Sequence, residues 1–476
     1  MPYYHKLGKI PHKRHTQFRR SDGQLYTEEL FGTEGFSGNS SLLYHHHPPV
    51  RVVSIEPCEA EPLQEWQLPV QRHVHTRTKP AQPQGDPISG RRILMYNHDC
   101  RLGIVLPAEG MDYHYKNGQT DELYFIHEGT GRFETNFGNL PYREGDYVFL
   151  PHGTIYRVVP DTPEQRKREL DVLLNQLSER ERHIIELHYG LAGGTPLTLP
   201  EVAMEFGSIA ERIRQIETRI FRQHPNLKII LTKLKRTTPA ISQRWLVVEG
   251  RNIQPPKRYR NGFGQLLEHS PYCERDLRVP EELVTVTGDE AGKGPYRVLI
   301  RANDILSSYY YEHHPLDVVG WDGYLYPYIF NIEDFEPITG RVHQPPPVHQ
   351  TFEAHNFVVC SFVPRKYDYH PLSIPAPYNH SNIDSEEVIY YVNGNFMSRR
   401  GIDVASFTLH PHGIPHGPHP GTAEASIGKE ATEELAVMVD TFRPLKLTKW
   451  AQDFDDPNYP TSWIEGNAGP MPRDAG

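Results

Sequence analysis

The chain has 476 residues, long enough for two or three domains that each bury a core without cross-links. Its net charge of −10 argues against a protein whose whole surface binds polyanions, and no apolar run approaches the ~20 residues that span a bilayer, so no membrane partner is expected. The four cysteines, Cys58, Cys100, Cys273 and Cys360, stand singly with no zinc-type spacing. With a basic N-terminal stretch that lacks an apolar signal, they predict a reducing, cytoplasmic setting.

Glycine and proline, 37 and 43 residues, exceed their usual combined share of about 12% and suit many short strands joined by turns. Histidine is the other excess, at 27 residues; the run His45-His46-His47 reads as a surface loop rather than a site. Residues 121–129, DELYFIHEG, are two acids, then alternating aliphatic and aromatic residues, then glycine: a half-buried strand closed by a turn. PHGTIY follows at 151–156.

Residues 164–236 then break the β texture. Leu173, Leu174 and Leu177, then Ile184, Ile185 and Leu187, recur at helical spacing. Ser178 with Glu181 makes a capping box, Thr198 caps a second helix, and Gly207 marks a bend between two short ones. The flanking strands TIYRVVPD and QRWLVVEG are expected to pair, making the block an insertion in their hairpin loop, where insertions cost least.

The β pattern returns at 386–394, EEVIYYVNG, followed by PHGIPH at 411–416. Glu387 precedes Gly394 by seven positions, as Glu122 precedes Gly129, so the chain reads as two copies of one β module. The spacing within each copy resembles the cupin pattern, in which His and Glu meet a second His inside a small jelly-roll barrel. The predicted fold is mainly β: two cupin-like jelly-roll barrels with an inserted all-α helix-turn-helix domain. The predicted divisions are 1–162 and 239–290 for the N-terminal β domain, 163–238 for the insert and 291–476 for the metal-binding barrel.

In the second copy every ligand position carries a ligand type: His380, Glu387 and His416. Two imidazoles and one carboxylate on one face of a metal leave the other face open, the arrangement suited to iron(II), Fe(2+), oxygenases. Only the distance to Gly394 selects Glu387 over Glu386. In the first copy the last position is Tyr156, leaving His114 and Glu122 without a third partner, so that barrel is expected to hold no metal.

YNHSNIDSEEVIYYVNGNFMSRRGI at 378–402 and FTLHPHGIPHGPHPG at 407–421 resemble the iron-binding segments of homogentisate 1,2-dioxygenases. YYHKLGKIPHKRHTQFR, DVVGWDGYLYPYIFNIEDFEP and DELYFIHEG add to the likeness with that family's bacterial members. The resemblance implies iron(II), O2 and homogentisate, or a related hydroquinone-type substrate, a maleylacetoacetate product of tyrosine and phenylalanine catabolism, and a homo-oligomer, a hexamer. It carries the ligands onto His380, Glu387 and His416. It also carries two catalytic histidines onto His343, which would handle the phenolic proton, and His410. Phe396 departs from it, standing where some members have an active-site tyrosine. His349 and His412 receive no role; His412 has a twin in His152 and is expected to be structural.

LSERERHIIELHYGL, TLPEVAMEFG and ERIRQIETRI in the insert resemble the fourth region of primary bacterial sigma factors. That resemblance implies DNA contacts from Glu211, Arg212, Arg214 and Gln215 at the start of a recognition helix. Eight Arg/Lys against two Glu between 206 and 236 would meet phosphates. Ala210 stands where the family usually has arginine, so weak contact with DNA or RNA polymerase is expected. Two functions compete: a ring-cleaving dioxygenase with a passenger domain, and a DNA- or RNA-polymerase-binding regulator built on a dioxygenase scaffold. The complete triad favours the enzyme.

Overall fold

The computed structural model describes residues 3–59, 61–161, 170–191, 196–224, 227, 231, 243–286, 294–394, 396 and 398–464. The chain divides into two compact units, Met1–Val159 with Gln243–Gly476, and Pro160–Ser242. The first is almost all β and the second helical, matching the expected fold class of two cupin-like barrels and a helical insert.

A nine-stranded sheet is the spine of the β unit. One face, with Tyr124, Ile126, Trp245 and Val247, shares a core with Tyr115, Phe133 and Tyr156 of a seven-stranded sheet. The other face, with Leu123, Phe125, Leu246 and Val248, shares a core with Val388, Tyr390, Phe407 and Val437 of a six-stranded sheet. Neighbouring residues of Asp121–Glu128 therefore serve two different cores, as a period of two requires. The two barrels stand back to back across this spine, with His127 Nδ1 2.6 Å from the Tyr390 hydroxyl.

The expected hairpin around the insert does not form. Ile155–Pro160 pairs with His114–Asn117 in the seven-stranded sheet. Arg244–Gly250 lies between Asp121–Glu128 and Cys100–Val105 in the nine-stranded one. Tyr156 and Val158 face Trp245 and Val247 across the first-barrel core, so the two strands belong to opposite walls. Alternation tells which face of a strand is buried but not which sheet it joins.

The expected division at residue 290 is also displaced. Tyr296–Ala302 and Ile305–Tyr311 extend the seven-stranded sheet, and Tyr328–Asn331 pairs with Asp146–Leu150. The six-stranded sheet begins only at Gln350–Ala354 and takes in an early strand, Val74–Arg77, beside Ser406–His410. In return Lys446–Thr448 pairs with Arg91–Tyr96. Of the run expected as a surface loop, His45 ends the strand Ser40–His45, buried between Asp317 and Glu29 at 3.0 and 2.9 Å.

In the second unit, helices α1 (Glu179–Tyr189), α2 (Leu199–Glu205) and α3 (Ala210–Gln223) pack around Ile184, Ile185, Val202, Ile213, Ile216 and Ile220. Ser178 with Glu181, and Thr198 with Glu201, form the expected capping boxes. Gly207 turns the chain between α2 and α3 at φ +57°, a conformation that favours glycine. The basic residues Lys228, Lys233, Lys235 and Arg236 lie outside the described residues.

Inside the first barrel, a guanidinium meets the glutamate that would have been a ligand. Arg91 donates to Glu122 at 2.6 Å and to Glu249 at 2.7 Å, while the Tyr156 hydroxyl donates to Glu122 at 2.6 Å. Glu122 and Glu249 are buried, so Arg91 supplies charge that water cannot. Arg91→Ala should destabilise the β unit by about 3–5 kcal/mol, seen as a lower denaturant midpoint, because the buried Glu122 loses its counter-charge while Glu249 keeps that of Arg301 at 2.5 Å. An unchanged midpoint would contradict this reading.

Candidate metal centre

The strand Glu386–Asn393 fixes which acid faces the site. Val388 and Tyr390 enter the core shared with the nine-stranded sheet, so Glu387, Ile389 and Tyr391 point the other way and line a cavity of ≈ 150 Å³. Glu386 turns away from it, accepting from the Leu445 amide at 2.7 Å and facing His412 Nδ1 at 3.2 Å. Asp121 holds His152 in the same way in the first barrel, at 2.6 Å. His412 and His152 are thus matching anchors for the first acid of each pair.

His380 and His416 are brought together by their own backbones. Each amide donates to the other's carbonyl, at 2.8 and 2.9 Å, and the ring centroids lie 4.2 Å apart. One ligand atom from each of His380, Glu387 and His416 falls within 4.8 Å of the others. His380 Nδ1 lies 3.2 Å from the Tyr378 carbonyl and His416 Nδ1 3.4 Å from that of Ile414. An N–H donated there leaves the Nε2 lone pairs for ligation. His416 Nε2 is buried and has no hydrogen-bond partner among the described residues, a costly state that a cation would relieve. Burial alone would raise the Glu387 carboxyl, but His380, His410 and His416 around it hold it well below the usual carboxylate range. The donor set and the orphaned nitrogen fit a divalent metal.

His343 and His349 both reach the cavity. His343 is exposed at the cavity rim, 3.9 Å from Asp368, with its ring edge-on to Tyr378; partial desolvation lowers its pKa. His349, which received no role from the sequence, is buried with no partner for Nδ1 among the described residues and is pushed down to about 3 by burial, so it is neutral at pH 7. Phe396 packs against Tyr391 at 4.6 Å in the apolar wall.

His410 is not where a substrate-handling group would be. Its ring is fully buried, is absent from the cavity lining, and is bonded at both nitrogens: Nδ1 to Glu387 Oε1 at 2.7 Å and Nε2 to the Tyr459 hydroxyl at 2.9 Å. Its strand pairs it directly opposite Glu387, so the two side chains share one face of the sheet and His410 lies beside the carboxylate.

Tyr459, Arg399, Asp440 and His73 escaped the sequence reading. Arg399 is buried in the cavity wall with Nε unpartnered. Asp440 is paired with Glu387 across the neighbouring strand, and burial together with that carboxylate pushes it up to about 8. His73 packs its ring 5.3 Å from His410. Arg399 lies within the segment 378–402 that carries the resemblance but received no role there, whereas strand pairing and chain return bring Tyr459, Asp440 and His73 here.

In the helical unit, Glu211, Arg212, Arg214 and Gln215 occupy the first turns of α3 but engage one another. Arg214 Nε lies 3.0 Å from Glu211, and Arg212 donates to Gln215 at 3.2 Å. Ala210 packs against the core of that unit.

A protein of Saccharolobus solfataricus, provisionally named a dioxygenase, is 36% identical over 466 residues, 97% of this chain and 99% of its own. The chain belongs to that dioxygenase family. Residues 173–223 match a second family, Sigma-70, region 4. The RNA polymerase sigma factor SigA of a Nostoc strain is 38% identical over 84 residues, 16% of this chain and 22% of that factor. The chain thus spans about a fifth of the sigma factor. A cupin 2 conserved barrel domain protein from Leptotrichia buccalis superposes at a TM-score of 0.28 with 6% identity, over 79% of this chain and 99% of that one, a likeness too slight to bear on function.

For this dioxygenase the pleat of one strand makes a sharp distinction between adjacent acids. Glu387→Gln should abolish retention of added iron(II) after gel filtration, whereas Glu386→Gln should keep it. The reverse pattern would show that the strand's faces are assigned wrongly.

Proposed function

We propose that the chain opens the ring of homogentisate, or a closely related hydroquinone, with dioxygen at an iron(II) centre held by His380, Glu387 and His416, giving maleylacetoacetate. The observation that carries this reading is the approach of His380 Nε2 and His416 Nε2 to the Glu387 carboxylate, at 3.7 and 3.4 Å, with His380 and Glu387 in the wall of a cavity of ≈ 150 Å³. Iron(II) bound there supplies the redox-active metal that dioxygen needs to react with an aromatic ring. Both oxygen atoms end in the product, so no separate reductant is required.

The chain's own residues bind the substrate and manage its protons. Phe396, Tyr391 and Phe362 give the ring an apolar wall. Desolvation favours the neutral form of His343, leaving it able to accept a phenolic proton at a ring nitrogen, whereas burial makes His349 too weak a base for that task. The Arg399 guanidinium, with an unpartnered Nε–H, suits the carboxylate arm of homogentisate. Tyr391 donates to or accepts from Thr408 at 3.0 Å, which holds its ring in place as part of the wall.

The helical unit supports a weaker, separate reading as a nucleic-acid contact. Its candidate contact residues must first leave the pairings they make with one another, so tight sequence-specific binding is not expected. No helix of the described residues is long and apolar enough to cross a membrane.

With iron(II) added anaerobically and air then admitted, homogentisate should be consumed with an equal amount of O2. His343→Ala should retain its iron and lose most of kcat/KM, about 10²–10⁴-fold, as for a removed proton acceptor. Full activity in that variant would remove His343 from the mechanism. Iron-loaded protein inert towards every hydroquinone acid tested would overturn the assigned activity.

A further inference from the structure

His410 lies beside Glu387 on the same face of the sheet, fully buried and outside the cavity lining, and its two hydrogen bonds have a fixed direction. Glu387, held as a carboxylate, only accepts, so the proton between them belongs to His410 Nδ1. A neutral ring protonated at Nδ1 has its lone pair at Nε2, so Tyr459 donates its hydroxyl proton there. The order is Tyr459 O–H to His410 Nε2, then His410 Nδ1–H to Glu387 Oε1.

The pair is also mechanically confined. The His410 ring stacks on His416 at 4.2 Å and 18°, and Tyr459 packs on Trp463 at 5.2 Å and on His75 at 5.1 Å. His410 and Tyr459 are both almost wholly buried. Glu387 Oε1 is thereby held from the neighbouring strand, while Oε2 lies 3.7 Å from His380 Nε2.

We propose that His410 and Tyr459 are positioning residues, which fix the rotation of the Glu387 carboxylate and so set the metal affinity of the triad without touching substrate. The proposal rests on His380, Glu387 and His416 being the metal site. Partners of this kind are typically worth 10–100-fold in metal affinity. Asn at 410 can place an amide N–H near the position of Nδ1, whereas Leu fills the space without a donor.

The test is the dissociation constant for iron(II), by anaerobic competition with a chromophoric chelator, in the full-length wild type, His410→Leu, His410→Asn and Tyr459→Phe. Cobalt(II), read by its visible absorption, serves as a second probe of coordination. His410→Leu should weaken iron binding about 10–100-fold. His410→Asn should recover most of that loss. Tyr459→Phe should show a smaller loss in the same direction, with altered cobalt absorption in both weakened variants. Wild-type affinity in His410→Leu, with loss confined to kcat, would overturn the proposal and return His410 to a role in proton transfer. Equal loss in the Leu and Asn variants, with wild-type affinity in Tyr459→Phe, would also overturn it, because packing alone would then explain the effect. A wild type that bound neither metal would instead defeat the metal-site reading itself.

Discussion

The second barrel's chemistry depends on the pleat of one strand that is buried on both faces. Val388 and Tyr390 of Glu386–Asn393 are committed to the core between the barrels, which leaves Glu387, Ile389 and Tyr391 for the cavity. A slip of one residue would put Glu386 in the site and drive Glu387 into an apolar core, at the cost of burying a charge without its partners. The neighbouring strand then sets His410 opposite Glu387, and the reciprocal backbone bonds of His380 and His416 bring the other two ligands together.

The first barrel shows what the same scaffold becomes when a different cation is built in. Glu122 has the inward position that Glu387 has in the second, but Arg91 and Tyr156 satisfy it from within the protein. A guanidinium satisfies a buried carboxylate permanently, whereas the second barrel surrounds Glu387 with imidazoles and leaves His416 Nε2 without a partner among the described residues, an arrangement that fits a metal. The two copies therefore differ in the source of positive charge more than in backbone.

Much of this was legible in the sequence where the signal is local. The repeated acid–acid–alternating strand exposed the duplication, Ser178 with Glu181 marked a helix start, and the residues His380, Glu387 and His416 that the spacing picked out do converge. What was not legible lies in strand partnership. Nothing in VHTR at 74–77 says that it completes the second barrel, or in KLT at 446–448 that it joins the first barrel's sheet. Tyr156 and Trp245 alternate with their neighbours as any half-buried strand does, so their placement on opposite walls followed only from the closed core. His410 was found by resemblance as a second active-site histidine, but its bonds to Glu387 and Tyr459 were not legible, because a motif gives position in the chain and not the direction of a ring. Arg399 sits in the quoted segment 378–402 without having been given a role, and Tyr459, which had no motif at all, reaches the site through the return of distant chain.

The central claim is that the triad supports insertion of both atoms of dioxygen into one ring. The most direct measurement is a single turnover of the iron(II)-loaded protein with homogentisate under ¹⁸O₂, followed by mass spectrometry of the product. The account predicts a ring-opened product carrying two labelled oxygens, apart from any lost by exchange with water. One labelled oxygen on an intact ring, or a product without label, would contradict it.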